Sequence, residues 1–185
     1  MKKLIAVCGE SASGKNTLVD LLVTQHPKMF HRKVSRTTRE PRLGEIDGED
    51  YYFITREEFF ELIMKEKMIE AAEVGGEMYG TLFDDLKDDK INVGIFDPQG
   101  LEILMGIKEI HLVPIYVKTD ERIRMKRALD RETSIDEIYE RYTIDKKLFY
   151  DIEDFPNMLI LNNQEGKIDF NVRIVKLIAE GIFSK

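Results

Sequence analysis

Residues 4–15 read Leu4-Ile5-Ala6-Val7-Cys8-Gly9-Glu10-Ser11-Ala12-Ser13-Gly14-Lys15, and the reading of this stretch decides the fold. An apolar run of strand length leads into a glycine-bounded loop, which opens onto a segment of helical period with Leu18, Leu21 and Leu22 on one face. That is the context a phosphate-binding loop of the form G-x-x-x-x-G-K requires. Gly9 and Gly14 permit backbone angles that turn several N–H groups onto one anion, and the helix starting near Lys15 adds the positive end of its dipole. Lys15 then brings a full charge to the outer phosphates. An ordinary glycine turn leaves that lysine unexplained. The next position, where a Ser or Thr hydroxyl normally serves Mg2+, holds Asn16. An amide oxygen can ligate a hard cation directly or through water. Thr17 carries a hydroxyl one residue later, rotated about 100° around the helix.

The chain has 185 residues, enough for one well-cored domain and too few for two full ones. Its net charge of -7, with 34% charged residues and no block of like charge, argues against nucleic acid or a membrane surface as partner. It lacks an apolar run of membrane-spanning length, and Lys2-Lys3 precedes too short an apolar segment for a signal peptide, so a cytoplasmic location is expected. The single Cys8 reads as a small buried hydrophobe rather than a catalytic thiol. His26, His31 and His111 are too scattered to make a metal site.

Beyond the first helix, Ser35, Arg36, Thr37, Thr38, Arg39, Pro41 and Arg42 form a dense group of hydroxyls and guanidiniums. Its ordinary reading is an exposed polar loop; beside a phosphate-binding loop it becomes a second anion site, because Arg forks match phosphate oxygens in pairs. Asp47-Gly48 is a hairpin signal before a strand at residues 51–54. Thr55-Arg56-Glu57-Glu58 is a capping box for a helix to about Lys67, with Phe59, Phe60, Leu62 and Ile63 on its buried side. Residues 68–81 alternate around Gly75-Gly76 as a hairpin, and residues 84–90 read as the solvated end of a short helix. A buried strand ends at Asp97, a site candidate at the C-terminal tip of a parallel sheet, with a cap on the following helix as the weaker reading. Residues 111–117 and 158–161 are further strands, the last ended by Asn162-Asn163. Arg122, Arg124, Lys126, Arg127, Arg131 and Arg141 read by default as a solvated basic face, or as a mobile lid bringing arginines over a transferring phosphoryl group. An amphipathic helix over residues 168–183 closes the chain, and the alternation predicts a parallel α/β sheet.

Assembled, these residues resemble the guanylate kinase family over nearly the whole chain. Ser35, Thr37, Thr38, Arg39, Pro41 and Arg42 match its S-x-T-T-R-x-P-R segment, and Gly44, Glu45, Gly48, Asp50 and Tyr51 match G-E-x-x-G-x-D-Y. Glu70, then Tyr79-Gly80-Thr81, then Asp97-Pro98-Gln99-Gly100 follow in order, and Arg127, Arg131, Thr133 and Arg141 fit the lid pattern. The chain departs at Asn16, at Ile95 where the family has the first Asp of D-x-D-x-Q-G, and at Asp130 and Glu132 where the lid often has glycines.

The resemblance implies a three-layer parallel-sheet P-loop nucleoside monophosphate kinase fold in a single domain. Its core would be residues 1–34, 82–125 and 146–185, with a small mixed monophosphate-binding insertion at 35–81 and a helical lid at 126–145. ATP, with Mg2+ served by Asn16, would sit on Gly9, Ser11, Ala12, Ser13, Gly14, Lys15, Asn16 and Thr17, with Arg127, Arg131 and Asn162. GMP or dGMP would be held by Ser35, Arg39, Arg42, Tyr51 and Tyr79 at its phosphate and by Glu70, Asp97 and Thr81 at guanine. Adenine offers neither an N1 proton nor a 2-amino group, so it would leave buried carboxylates unpaired, at about 1 to 3 kcal/mol or more for each. Lys15, Arg39, Arg131 and Arg141 would stabilise in-line phosphoryl transfer. A kinase of different base choice and a catalytically silent binding module of the same fold remain open on the sequence, as do monomer and homodimer.

Overall fold

The computed structural model describes residues 1–42, 44–131 and 134–183; Leu43, and Glu132 and Thr133 of the expected lid pattern, lie outside them. The first strand, β1 (Lys2–Cys8), is buried on both faces from Leu4 onward, which is why it reads as a continuous apolar run. Gly14 is the N-cap of α1 (Lys15–Gln25). The chain continues through β2 (Phe30–Arg32), β3 (Ser35–Thr37), β4 (Tyr51–Phe53), α2 (Arg56–Met64), β5 (Met68–Val74) and β6 (Glu77–Leu82). It returns as β7 (Ile91–Ile95), α3 (Pro98–Met105), β8 (Ile110–Lys118), α4 (Glu121–Leu129), α5 (Ile135–Leu148), β9 (Leu159–Asn162) and α6 (Ile168–Phe183).

Two sheets result. The larger has the order β2-β7-β1-β8-β9 with every pairing parallel, so the C-terminal tips of β1, β7 and β8 lie along one edge, where ligands meet such sheets. Pleat alternation divides β1 between two cores. Ile5 and Val7 pack with Leu18, Leu22, Val172 and Val175 of α1 and α6, while Leu4, Ala6 and Cys8 pack with Leu101, Leu104 and Tyr116 on the opposite face. The smaller sheet, β4-β3-β6-β5, is mixed. The chain enters it from the first through Lys33 and Val34, between β2 and β3, and returns through residues 83–90, between β6 and β7.

Several expectations are corrected. Asp47-Gly48 does not close a hairpin, because β3 and β4 pair in parallel and residues 38–50 form a crossover between them. The polar group at residues 35–37 is a strand with Ser35 and Thr37 buried, not an exposed loop. The capping box on α2 is present, but only Phe59 is fully buried and Phe60 is 47% exposed, since the helix covers the small sheet with a narrow face. Residues 83–85 make a single 3-10 turn, where the sequence predicts the end of a short helix over residues 84–90.

Candidate active site

The phosphate-binding loop is held from outside by its carbonyls. Gly14 sits at φ 92°, a left-handed conformation that favours glycine, and a Cβ there would lie 2.5 Å from Asn163 Nδ2. That amide donates to the Ser13 carbonyl at 2.8 Å, as does the Thr119 hydroxyl at 2.8 Å, and Arg127 donates to the Ala12 and Ser13 carbonyls at 3.3 Å each. Asn162, expected here, is exposed; strand alternation turns Asn163, 2% exposed, toward the loop instead. Thr17 is exposed on α1 and lines none of the cavities described below. Lys15 donates to the Glu10 carbonyl at 3.2 Å. Burial lowers its pKa, against the field of Asp145.

Asp145 itself, from α5, accepts a hydrogen bond from the Ser11 N–H at 2.6 Å. Arg124 lies 3.3 Å from Glu10 and 3.9 Å from Asp145 and is only 8% exposed, so the run of cations on α4 is not a uniformly solvated face. Sequence reasoning named neither Arg124 nor Asp145 as a site residue. A basic run gives no sign of which member turns inward.

At the other end stand two acids. A register shift in β5 between Met68 and Glu70 sets Glu70 opposite Thr81, an irregularity of the kind that re-aims a side chain. The Thr81 hydroxyl donates to Glu70 in a short hydrogen bond, and both residues are buried. A Cβ on Gly100 would lie 3.3 Å from Glu70 Oε2, so that glycine leaves room for the carboxylate. Asp97 caps α3, accepting from the Gly100 N–H at 2.8 Å, and also lines the cavity beside Glu70; the cap and the site are one residue. Burial raises the pKa of both acids. Ser35, placed by resemblance at the acceptor phosphate, lines the cavity with both Tyr51 and Glu70, and its hydroxyl and that of Thr81 both accept from Lys33.

The arginines converge a few residues along. Arg39 is fixed by Glu45, which accepts at 2.9 Å through each oxygen, and lies 5.5 Å from the Tyr51 ring centroid. Tyr51 packs edge-on against Tyr79 at 5.9 Å, and burial pushes its phenol up to about 12. Arg42 is disfavoured as a cation by burial and by the fields of Arg39 and Arg141, a local excess of positive charge that an anion would relieve.

One cavity of about 190 Å3 joins Lys15 and Ser11 to Ser35, Tyr51, Tyr79, Glu70 and Asp97. A second, of about 600 Å3, joins Lys15, Asn16 and Ala12 to Arg42, Arg124, Arg131 and Arg141, so Arg131, just past α4, and Arg141 of α5 share a cavity with the loop. Lys15 lines both. Cys8 is buried, its thiol pushed up to about 12 by desolvation, and has no catalytic character.

A parallel sheet with a phosphate loop at its first turn, facing a separate sheet that carries arginines and acids, is the architecture of the P-loop nucleoside monophosphate kinases. The guanylate kinase family model matches residues 1–176. A guanylate kinase of Synechocystis sp. is 51% identical over 143 residues, covering 72% of this chain and 73% of its own length. One from Trichormus variabilis is 36% identical over 157 residues, covering 76% and 74%. The crystal structure of guanylate kinase from Anaplasma phagocytophilum superposes with a TM-score of 0.69 at 26% identity, over 97% of this chain and 86% of that one. The chain belongs to the guanylate kinase family.

Proposed function

We propose that the chain phosphorylates GMP or dGMP to the diphosphate with ATP as donor. The observation that carries this reading is the single cavity running from Lys15 to the buried pair Glu70 and Asp97. The pair offers two carboxylate acceptors where guanine presents its N1–H and 2-amino group, and adenine would leave them unpaired. Arg39, Arg42, Tyr51 and Tyr79 suit the acceptor phosphate, and Lys15 with Arg131 and Arg141 suits the phosphates of ATP. Little covalent chemistry is then asked of the protein beyond holding donor and acceptor in line and neutralising charge. Arg127 and Asn163 keep the Ala12 and Ser13 carbonyls occupied on the outside of the loop, while the Ser11 N–H, now held by Asp145, would have to be released to meet a phosphate.

Mg2+ bound with ATP would neutralise phosphate charge. Asn16, exposed and lining the larger cavity together with Lys15, offers one neutral oxygen of the kind a hard cation accepts, with phosphate oxygens and water completing the shell. We assign residues 35–81 to acceptor binding, 126–145 to a lid and the remainder to a core against which both move. No helix among the described residues is long and apolar enough to cross a membrane; we place the protein in the cytoplasm, with its nucleotide substrates. A coupled ADP-release assay with GMP, dGMP, AMP, CMP and UMP tests the reading. Turnover of GMP or dGMP alone is expected, and turnover of AMP without GMP would overturn the roles of Glu70 and Asp97.

A further inference from the structure

Arg124 is an arginine to which the lid pattern gives no role, since Arg127, Arg131 and Arg141 carry that pattern. It is the one residue of α4 that is buried, at 8% exposure. It lines the larger cavity with Lys15, which Arg127, bracing the loop from outside, does not. Its Nη2 lies 3.3 Å from Glu10 Oε1, and Glu10 Oε2 accepts from the Tyr116 hydroxyl at 2.8 Å, so one edge of the guanidinium is fixed much as Glu45 fixes Arg39. The other edge is poorly served. Nη1 reaches the Ser11 carbonyl at 3.5 Å and Asp145 Oδ2 at 3.9 Å, both long for a hydrogen bond, and the buried Nε has no hydrogen-bond partner among the described residues.

The same Asp145 oxygen takes the Ser11 N–H at 2.6 Å, and the field of Asp145 is the largest influence keeping Lys15 charged against burial. A loop amide, an arginine and a lysine gathered around one anionic oxygen are the donors a phosphate group attracts. A carboxylate serves them with two oxygens and one charge; a terminal phosphate brings three oxygens and more charge, and suits donors that Asp145 leaves short. The place is also defined. Ser11, Lys15 and Asp145 line both cavities, so they stand where a donor tail in the larger would meet an acceptor phosphate in the smaller. We propose that Arg124 is a ligand of the donor's terminal phosphate, the group that is transferred, and that Asp145 holds its place on the loop until ATP arrives. With one edge already pinned by Glu10, the guanidinium needs little reorganisation to take up the phosphate once the acid withdraws. The inference rests on ATP being the donor and adds to that reading a ligand for the phosphoryl group in transit.

Equilibrium binding of a non-hydrolysable ATP analogue and of ADP separates this role from that of a brace on the loop. A brace acts on every phosphate the loop holds, whereas a ligand of the third phosphate is felt only by a nucleotide that has one. Arg124→Gln should weaken the ATP analogue about tenfold, the worth of one charge-assisted hydrogen bond, and ADP less than about twofold. In an Asp145→Asn background the same substitution should still cost the analogue about tenfold, because the contact is to the nucleotide and not to the acid. If Arg124→Gln does not fold, Arg124→Lys decides: it keeps the charge beside Glu10 but loses the fork, and must weaken the analogue more than ADP. Equal losses for the two nucleotides, or a cost that vanishes without the Asp145 carboxylate, overturn the role of Arg124. Failure of the unaltered chain to bind either nucleotide would instead defeat the donor assignment itself.

Discussion

Glu70 and Asp97 are acids that burial makes reluctant to ionise, and the proposed guanine site needs them ionised. The sign of the consequence follows. A raised pKa means that protons return at a higher pH on acidification, and a protonated carboxyl can no longer accept at both oxygens. The KM for GMP should therefore begin to rise at a pH above the ordinary carboxylate range, while the KM for ATP stays level. Lys33 bounds the other side. Burial lowers its pKa to about 8; Glu70, Asp85 and Asp97 work to keep its proton on, and Arg36 works against them. As pH climbs through about 8 the ammonium becomes a neutral amine, the positive charge beside Glu70 is lost, and the KM for GMP should rise again. A pH profile of KM for each substrate, taken separately, checks both limbs; a flat GMP limb on the acid side would contradict the role of the acids.

Among the elements, α2 and α5 make different demands. The α2 cap is reciprocal: the Glu58 N–H donates to the Thr55 hydroxyl at 3.1 Å, and Glu58 accepts from the Thr55 N–H at 2.8 Å. Thr55→Ala should lower stability by about 1 kcal/mol in urea unfolding with the KM for ATP unchanged. On α5, Asp145 sets a carboxylate against the Ser11 N–H and beside Lys15, where it competes with the phosphates of ATP. Asp145→Asn should lower the KM for ATP about three- to tenfold; a rise would mean that the contact props the loop rather than competing for it. The same contrast explains what the chain disclosed in advance. The first strand, the loop, α1 and the α2 cap were legible because each is written in a few consecutive residues. Non-local pairing was not: nothing near Asp47-Gly48 says that β4 will run parallel to β3. Asn162 and Asn163 differ by one step of a strand, and only the register with β8 decides which faces the loop. Lys33 was hidden for the same reason, its partner Thr81 being 48 positions away.

At the level of the whole molecule, the phosphate-binding loop stands on the larger sheet, while the proposed acceptor groups are divided between the small sheet and Asp97 at the tip of β7, so the proposed reaction predicts that the sheets close around both nucleotides. Small-angle X-ray scattering should show a smaller radius of gyration with a non-hydrolysable ATP analogue and GMP together than with either alone. An unchanged radius with both bound would argue for a preformed site. Of the two connections between the sheets, residues 33–34 and 83–90, the shorter bears most on that predicted motion. Lys33 is fastened by its backbone to β7 and by its head to β3 and β6, so it works as a strut across the joint from which the small sheet hangs. A door hung on such a post sweeps least beside the post and most at its free edge. With the hinge at Lys33, Glu70 and Thr81 beside it would shift less on closure than the guanidiniums of Arg39 and Arg42, so the proposed base site would be complete before the phosphate groups arrive.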